Sequence, residues 1–510
     1  MILNEHDGQF LWGVASSGYQ CEGGYNGPGQ PQNNWSAYEA SGEVQRTGDA
    51  TDFWHRYEED LARTRDLGLK AFRLSIEWPR VQPTTVDQPS SPPPFDYAAL
   101  DHYADIVAAV RRYGLEPVVT LQHFTHPSWL GLNAWLDERT PGYFQTFIAT
   151  TVERVNRRLV DHHGLPPIHW YVTINEPNML ILNTYVHRHF PGSGPGGIKT
   201  GATAYNHLLS AHVLAYNAIH DIYEAAGWAT PMATMNTFCS DAYWSEQFLL
   251  DMLCVRERGI APENLPTYFR EGARALRQAK LAHRLPLRAD FFVYIGRFLH
   301  LLTDLYAPSH ANAEVFAYFL KVLNASKRER VLDYIGLDYY DPFTGHLFRP
   351  PSFHDLEFKS KSLPGHLFNG ISRKWWDWHV IPDGLGFFCR TYAERFKRGI
   401  LIAENGMAIR RKFDNSAATP RNDKVTRSEF LKAHVGIVRD LVAEGVPLLG
   451  YLHWSIADNY EWGSYTPRFG LFSVDYMNGA ERSAVDHLGD NPSATYAKLI
   501  KETPLHAPRL

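Results

Sequence analysis

A chain of 510 residues with 50 lysines and arginines against 55 aspartates and glutamates carries a formal charge of −5, which gives no electrostatic footing for a nucleic-acid partner. Its 44% apolar content suits a globular enzyme with a sizeable core, and no uninterrupted apolar run of about 18 residues offers a membrane span. Aromatic residues make up 14% of the chain, enough for a large core and for faces that stack on the C–H side of sugar rings. The cysteines, Cys21, Cys239, Cys254 and Cys389, are scattered without C-x-x-C spacing, so neither a disulfide framework nor a zinc site is expected. The first strand-like run lies too close to the N-terminus for a secretory leader, and a cytoplasmic location is the expectation.

In chain order, apolar strand-like runs fall at 10–15, 71–76, 117–121, 170–174, 232–236, 334–339, 400–403 and 448–453. Amphipathic helical patterns such as 51–67 and 97–113 separate them. Eight strands alternating with helices predict an α/β fold, a single (β/α)8 barrel over residues 1–510 with extended loops on its C-terminal face. Loops are expected at 82–95, 190–197 and 410–423. The second contains Gly192-Ser193-Gly194-Pro195-Gly196-Gly197, a formal G-x-G-x-x-G match. No strand leads into it, a proline interrupts it and no helix is expected to open from its last glycine, so dinucleotide binding is not predicted. Residues 240–330 stand apart as a divergent helical insertion. They hold a basic amphipathic stretch (Arg270, Arg274, Arg277, Lys280, Arg284) and then an apolar run at 291–306. Extra helices packed over the barrel are one reading of this region; a lid, or a surface that meets an amphiphilic aglycone, is the other.

Two segments end an apolar run with glutamate beside asparagine: Thr173-Ile174-Asn175-Glu176-Pro177 and Ile402-Ala403-Glu404-Asn405-Gly406. A carboxyl at the end of a buried strand faces the barrel mouth, and two such groups facing each other can cleave a glycosidic bond. Retention of configuration requires a carboxylate nucleophile and a carboxylic acid about 5–5.5 Å apart. Arg73, on the second strand, is placed to favour the ionised nucleophile, while burial and a neighbouring carboxylate would keep the acid protonated. The chain has no G-x-S-x-G elbow, H-E-x-x-H or phosphate loop, so no metal or cofactor is expected.

These two motifs resemble the acid/base and nucleophile segments of glycoside hydrolase family 1, the β-glucosidase family. So do the opening run from Phe10 to Gly24 and the late segment Trp454-Ser455-Ile456-Ala457-Asp458-Asn459-Tyr460-Glu461-Trp462. The resemblance covers 10–476 and is weak only within 240–330. It implies a retaining β-glycosidase acting on terminal β-D-glucosides, with galactosides or fucosides as further substrates. Glu176 would be the general acid/base and Glu404 the nucleophile, supported by Arg73, Asn175 and Tyr340. Gln20, His123, Trp378, Trp454, Glu461 and Trp462 would join Asn175 in holding the sugar, with Trp454 as the stacking floor.

The departures are Asp338 where the family usually has asparagine, Ala403 before the nucleophile, Asn178 where many members place an aromatic, and the altered pair after His123. They bear on the leaving group more than on the reaction. Glu461 argues against 6-phosphorylated sugars, and Glu176, not being glutamine, against a thioglucosidase. Transglycosylation by the same residues and a catalytically silent sugar-binding barrel are the alternatives. The sequence implies a small-molecule β-glycoside as partner and sets no oligomeric state.

Overall fold

The structure is a computed structural model that describes residues 8–84, 91–287, 291–346, 353, 363–372 and 377–508, with the backbone alone at 292, 293, 297, 368 and 372. Eight parallel strands close a barrel in chain order: β1 (Leu11–Ala15), β2 (Ala71–Ser75), β3 (Glu116–Thr120), β4 (Trp170–Asn175), β5 (Met232–Phe238), β6 (Ile335–Tyr339), β7 (Ile400–Asn405) and β8 (Leu448–Trp454). The ring closes where β1 pairs with β8, Ala15 opposite Trp454. Each strand was legible as an apolar run because a parallel barrel strand is covered on both faces; all but the first residue of β5 are buried. The helical patterns at 51–67 and 97–113 fold as Phe53–Asp66 and Tyr97–Arg112. The second starts where Asp96 accepts from the amides of Ala98 and Ala99, a cap contributing about 1 kcal/mol.

One local expectation fails. A 29-residue helix, Ile198–Ala226, opens directly after Gly197, the last glycine of the glycine-rich turn. Gly197 makes the turn possible with φ +146°, a conformation L side chains rarely adopt. The residues leading into this turn still form a helical turn, Leu182–Val186, rather than a strand. The loop at 82–95 lies partly outside the described residues.

Between β5 and β6 the chain forms helices Gln247–Leu253, Leu265–His283, Phe291–Tyr306 and Ala317–Ala325. The loop after β8 is organised by buried Asp458. Its Oδ1 accepts from the Gly470 amide (2.9 Å) and its Oδ2 from the Val474 amide (3.1 Å), with Arg427 at 3.5 Å and Arg468 at 3.7 Å. Those bonds hold in place the segment that carries Trp454, Glu461 and Trp462 to the barrel mouth.

Candidate active site

The polar side chains of the strands gather at their carboxyl ends. Arg73 of β2 is fully buried and forks across three strands. Its Nε donates to Thr120 Oγ1 (2.9 Å), Nη1 to Glu404 Oε1 (2.7 Å) and Nη2 to Asn175 Oδ1. Only a guanidinium offers donors in that planar spread, so one residue orients both Glu–Asn motifs. Tyr340, just past β6, donates its hydroxyl to Glu404 Oε2 at 3.0 Å. Both oxygens of Glu404 are therefore fixed.

Glu176 reaches the same space by a bent backbone. It comes directly after the last residue of β4 with φ +38°, a left-handed conformation costly for a residue with a Cβ, and its carbonyl receives the amide of Leu180 as the chain turns into Pro177–Ile181. One carboxylate oxygen from each of Glu176, Asp338 and Glu404 lies within 4.8 Å of the other two. Such closeness favours the retaining arrangement, about 5–5.5 Å, over the roughly 6.5–9.5 Å that leaves room for an inverting water.

Electrostatics separate the two glutamates. Burial, then the nearby carboxylates of Asp338 and Glu404, hold the Glu176 carboxyl well above its ordinary range. Burial also raises Glu404, but Arg73 and the Tyr340 hydroxyl pull it back down. The arginine thus moderates the upward push on Glu404 rather than reversing it, a larger part for burial than the sequence suggested. Of the two glutamates, Glu176 is the one pushed up further. Asp338 is also raised well above its usual value, by burial and by Glu404, and it accepts a hydrogen bond from Asn236.

The residues expected to hold sugar line one side of this centre. Gln20 Nε2 donates to the Tyr460 carbonyl (2.8 Å) and to Glu461 Oε2 (3.3 Å), and Trp454 Nε1 donates to Glu461 Oε1 (3.2 Å). The His123 ring stacks on Trp454 and on Trp462, with interplanar angles of 13° and 10°. Burial and then Arg73 hold His123 well below its usual value, so it stands as a neutral imidazole. Asn175 links the two sides, its Nδ2 3.4 Å from His123 Nε2. Trp378 packs against Tyr340 (ring centroids 4.9 Å) and Phe238 (5.7 Å).

Sequence reasoning missed Asn236. On β5, its Nδ2 bridges Asn175 Oδ1 (2.9 Å) and Asp338. The only signal for it was an asparagine near the end of an apolar run, the same one that marked Asn175. Asn178 turns out to be buried: it exchanges hydrogen bonds with the backbone of Phe238 (2.8 and 3.2 Å) and pins β5 to the turn after Glu176.

Among the described residues, two groups bring three metal-ligating atoms together. In the first, Glu176, Asp338 and Glu404, the oxygens are engaged by Arg73, Tyr340 and Asn236. In the second, Asp341 lies between two imidazoles, His346 Nδ1 at 2.8 Å and His379 Nδ1 at 3.1 Å, and the pair holds its carboxyl down at about 2. This His–Asp–His bridge ties the loop after β6 to the segment before helix Pro382–Phe396.

A closed parallel barrel with two buried carboxyls facing each other at its mouth defines a glycoside hydrolase. The chain belongs to glycosyl hydrolase family 1, whose sequence model matches residues 3–243 and 314–500. Beta-glucosidase A of Thermotoga maritima is 27% identical over 481 residues, 92% of each chain. The bifunctional beta-D-glucosidase/beta-D-fucosidase of Bifidobacterium breve is 27% identical over 496 residues, 92% of this chain and 93% of that one. The fold is shared with a solved Thermotoga maritima beta-glucosidase in complex with methoxycarbonyl-substituted glucoimidazole, with a TM-score of 0.67 over 99% of both chains at 23% identity.

Proposed function

We propose that this chain hydrolyses terminal, non-reducing β-D-glucosides with retention, and that Glu404 and Glu176 perform the two steps. The observation that carries the assignment is the pair of unequal environments around two carboxyls whose oxygens lie within 4.8 Å. Glu404 Oε2 or Oε1 attacks the anomeric carbon while Glu176 gives its proton to the departing glycosidic oxygen, leaving a glycosyl ester on Glu404. Glu176, now a carboxylate, takes a proton from water; the water oxygen attacks the anomeric carbon and Glu404 is released. Arg73 and Tyr340 neutralise the Glu404 carboxylate as it leaves.

Asn175 is the donor for the sugar's 2-hydroxyl, Gln20 and Glu461 clamp hydroxyls across the ring, His123 and Trp462 lie between them, and Trp454 is the floor. Trp378, beside Tyr340, belongs to the aglycone side. A phosphate on the far side of the sugar would meet the buried acid Glu461, which supports a non-phosphorylated glycone. Glucose is the first choice, by likeness to the glucosidases above; the fucosidase activity in the name of the Bifidobacterium relative supports testing fucosides too.

We also read 1–510 as one catalytic barrel with an inserted helical segment at 240–330; the support is the single ring of strands on either side of it. A cytoplasmic location remains our reading, supported by four buried free thiols.

The test is the anomer released first from an aryl β-D-glucoside, observed by NMR. β-Glucose appearing ahead of mutarotation supports the reading; α-glucose appearing first overturns it. Relative kcat/KM on the β-glucoside, β-galactoside and β-fucoside then fixes the glycone.

A further inference from the structure

The helix Phe291–Tyr306 turns large apolar side chains outward. Its inward side carries polar contacts beside the half-buried Ile295 and Leu299: His300 Nε2 lies 2.9 Å from Thr344 Oγ1 and 3.3 Å from Asp241, and Asp304 accepts from Trp244 Nε1 (3.0 Å) and pairs with Arg277. Gly296, on the same face, lies so close to Gly345 that a Cβ would come within 2.6 Å of its Cα, so the helix backbone is seated on the loop that leaves β6 after Tyr340. The opposite face carries Phe298, Leu301, Leu302, Leu305 and Tyr306 at helical spacing, with 44–72% of each exposed. A helix that turns five large apolar side chains outward, with no cover among the described residues, offers an apolar face for a partner.

Charge identifies that partner. The neighbouring helix Leu265–His283 touches this one through Arg277, and the face that carries Arg277 also carries Arg270, Arg274, Leu281 and, at its end, Arg284. Arg270, Arg274, Arg277 and Arg284 are all exposed, and Glu271 is the only acid in that helix. An apolar stripe bordered by arginines fits an anionic lipid surface, with side chains in the acyl boundary and guanidiniums among the headgroups. No described helix is long and apolar enough to cross a membrane, so the contact is made from one side. Both helices lie within 244–313, the stretch the family match leaves out.

We propose that helices Leu265–His283 and Phe291–Tyr306 form a docking surface for anionic lipid membranes, beside the mouth of the active site. The test is co-sedimentation of the full chain with vesicles of phosphatidylcholine alone or mixed with phosphatidylglycerol. The unaltered protein is expected in the pellet with the mixed vesicles, bound at least about tenfold more tightly than to neutral ones. A Phe298→Ser/Leu301→Ser/Leu305→Ser variant is expected to lose this binding, and an Arg270→Glu/Arg274→Glu variant to lose the preference for phosphatidylglycerol. All three proteins should turn over a soluble aryl β-glucoside at the same rate, which shows them folded. Absence of vesicle binding overturns the proposal, as does equal binding by the triple serine variant. A dimer of the unaltered protein that the serine variant dissolves would assign the face to a second copy and overturn it too.

Discussion

A carboxylate oxygen of Glu176 lies within 4.8 Å of one of Asp338, so the acid of the pair sits beside a third buried carboxyl. Asp338 lies opposite Glu404 in the β6–β7 pairing, which places it between the two glutamates. Arg73 (3.9 Å from Asp338), Glu404 and Asn236 also face it. Its negative charge raises Glu176, which therefore remains a proton donor to higher pH than two carboxyls alone would allow.

Asp338→Asn removes that charge. Glu176 then gives up its proton more easily, its pKa falls, and the alkaline limb of kcat/KM moves to lower pH by about one unit. A pH–rate profile of the variant measures this directly. An alkaline limb that stays in place would mean that Asp338 is protonated and silent in the working enzyme.

Arg73→Met is expected to cost more than catalysis. It leaves Glu404, Asn175 and Thr120 without their donor in a buried setting, and removing one partner of a buried ion pair costs about 3–5 kcal/mol. Urea denaturation should show the lower midpoint, and any folded fraction should turn over at least about 100-fold more slowly.

Tyr340→Phe removes only the hydroxyl 3.0 Å from Glu404 Oε2. A hydrogen bond to a charged group contributes about 1.5–3 kcal/mol, so kcat should fall about 10- to 100-fold with the denaturation midpoint little changed. Unaltered kcat would remove Tyr340 from the mechanism.

Asp458→Ala is predicted to act at a distance. Two buried arginines and two loop amides lose their shared acceptor, and the segment from Trp454 to Trp462 loses its anchor. KM for the glucoside should rise more than kcat falls, together with a loss of about 3–5 kcal/mol in stability. Steady-state kinetics and a melt on the same preparation test both.

The barrel was legible because each strand is covered on both faces and reads as an unbroken apolar run; element ends were placed to within about two residues for that reason. Glu176, Glu404 and Arg73 were legible as charged residues terminating or interrupting such runs, and Tyr340 only through the family resemblance. Asn236 was not singled out, because asparagine after a run is also an ordinary strand stop, and its role appears only when Asn175 and Asp338 are seen on either side. The helix after Gly197 was missed because a glycine-rich turn predicts a break and carries little information about the next element. The helix Phe291–Tyr306 could not be oriented from sequence: periodicity shows that a helix has an apolar face, and packing alone decides whether that face is turned inward.

Whether Glu404 forms the glycosyl bond is decided by chemical rescue. A Glu404→Gly variant assayed on an activated aryl β-glucoside should be inactive alone and active with azide, giving the inverted α-glucosyl azide from attack in the space the carboxylate left. A β-glucosyl azide, or full activity without azide, would rule Glu404 out as the nucleophile.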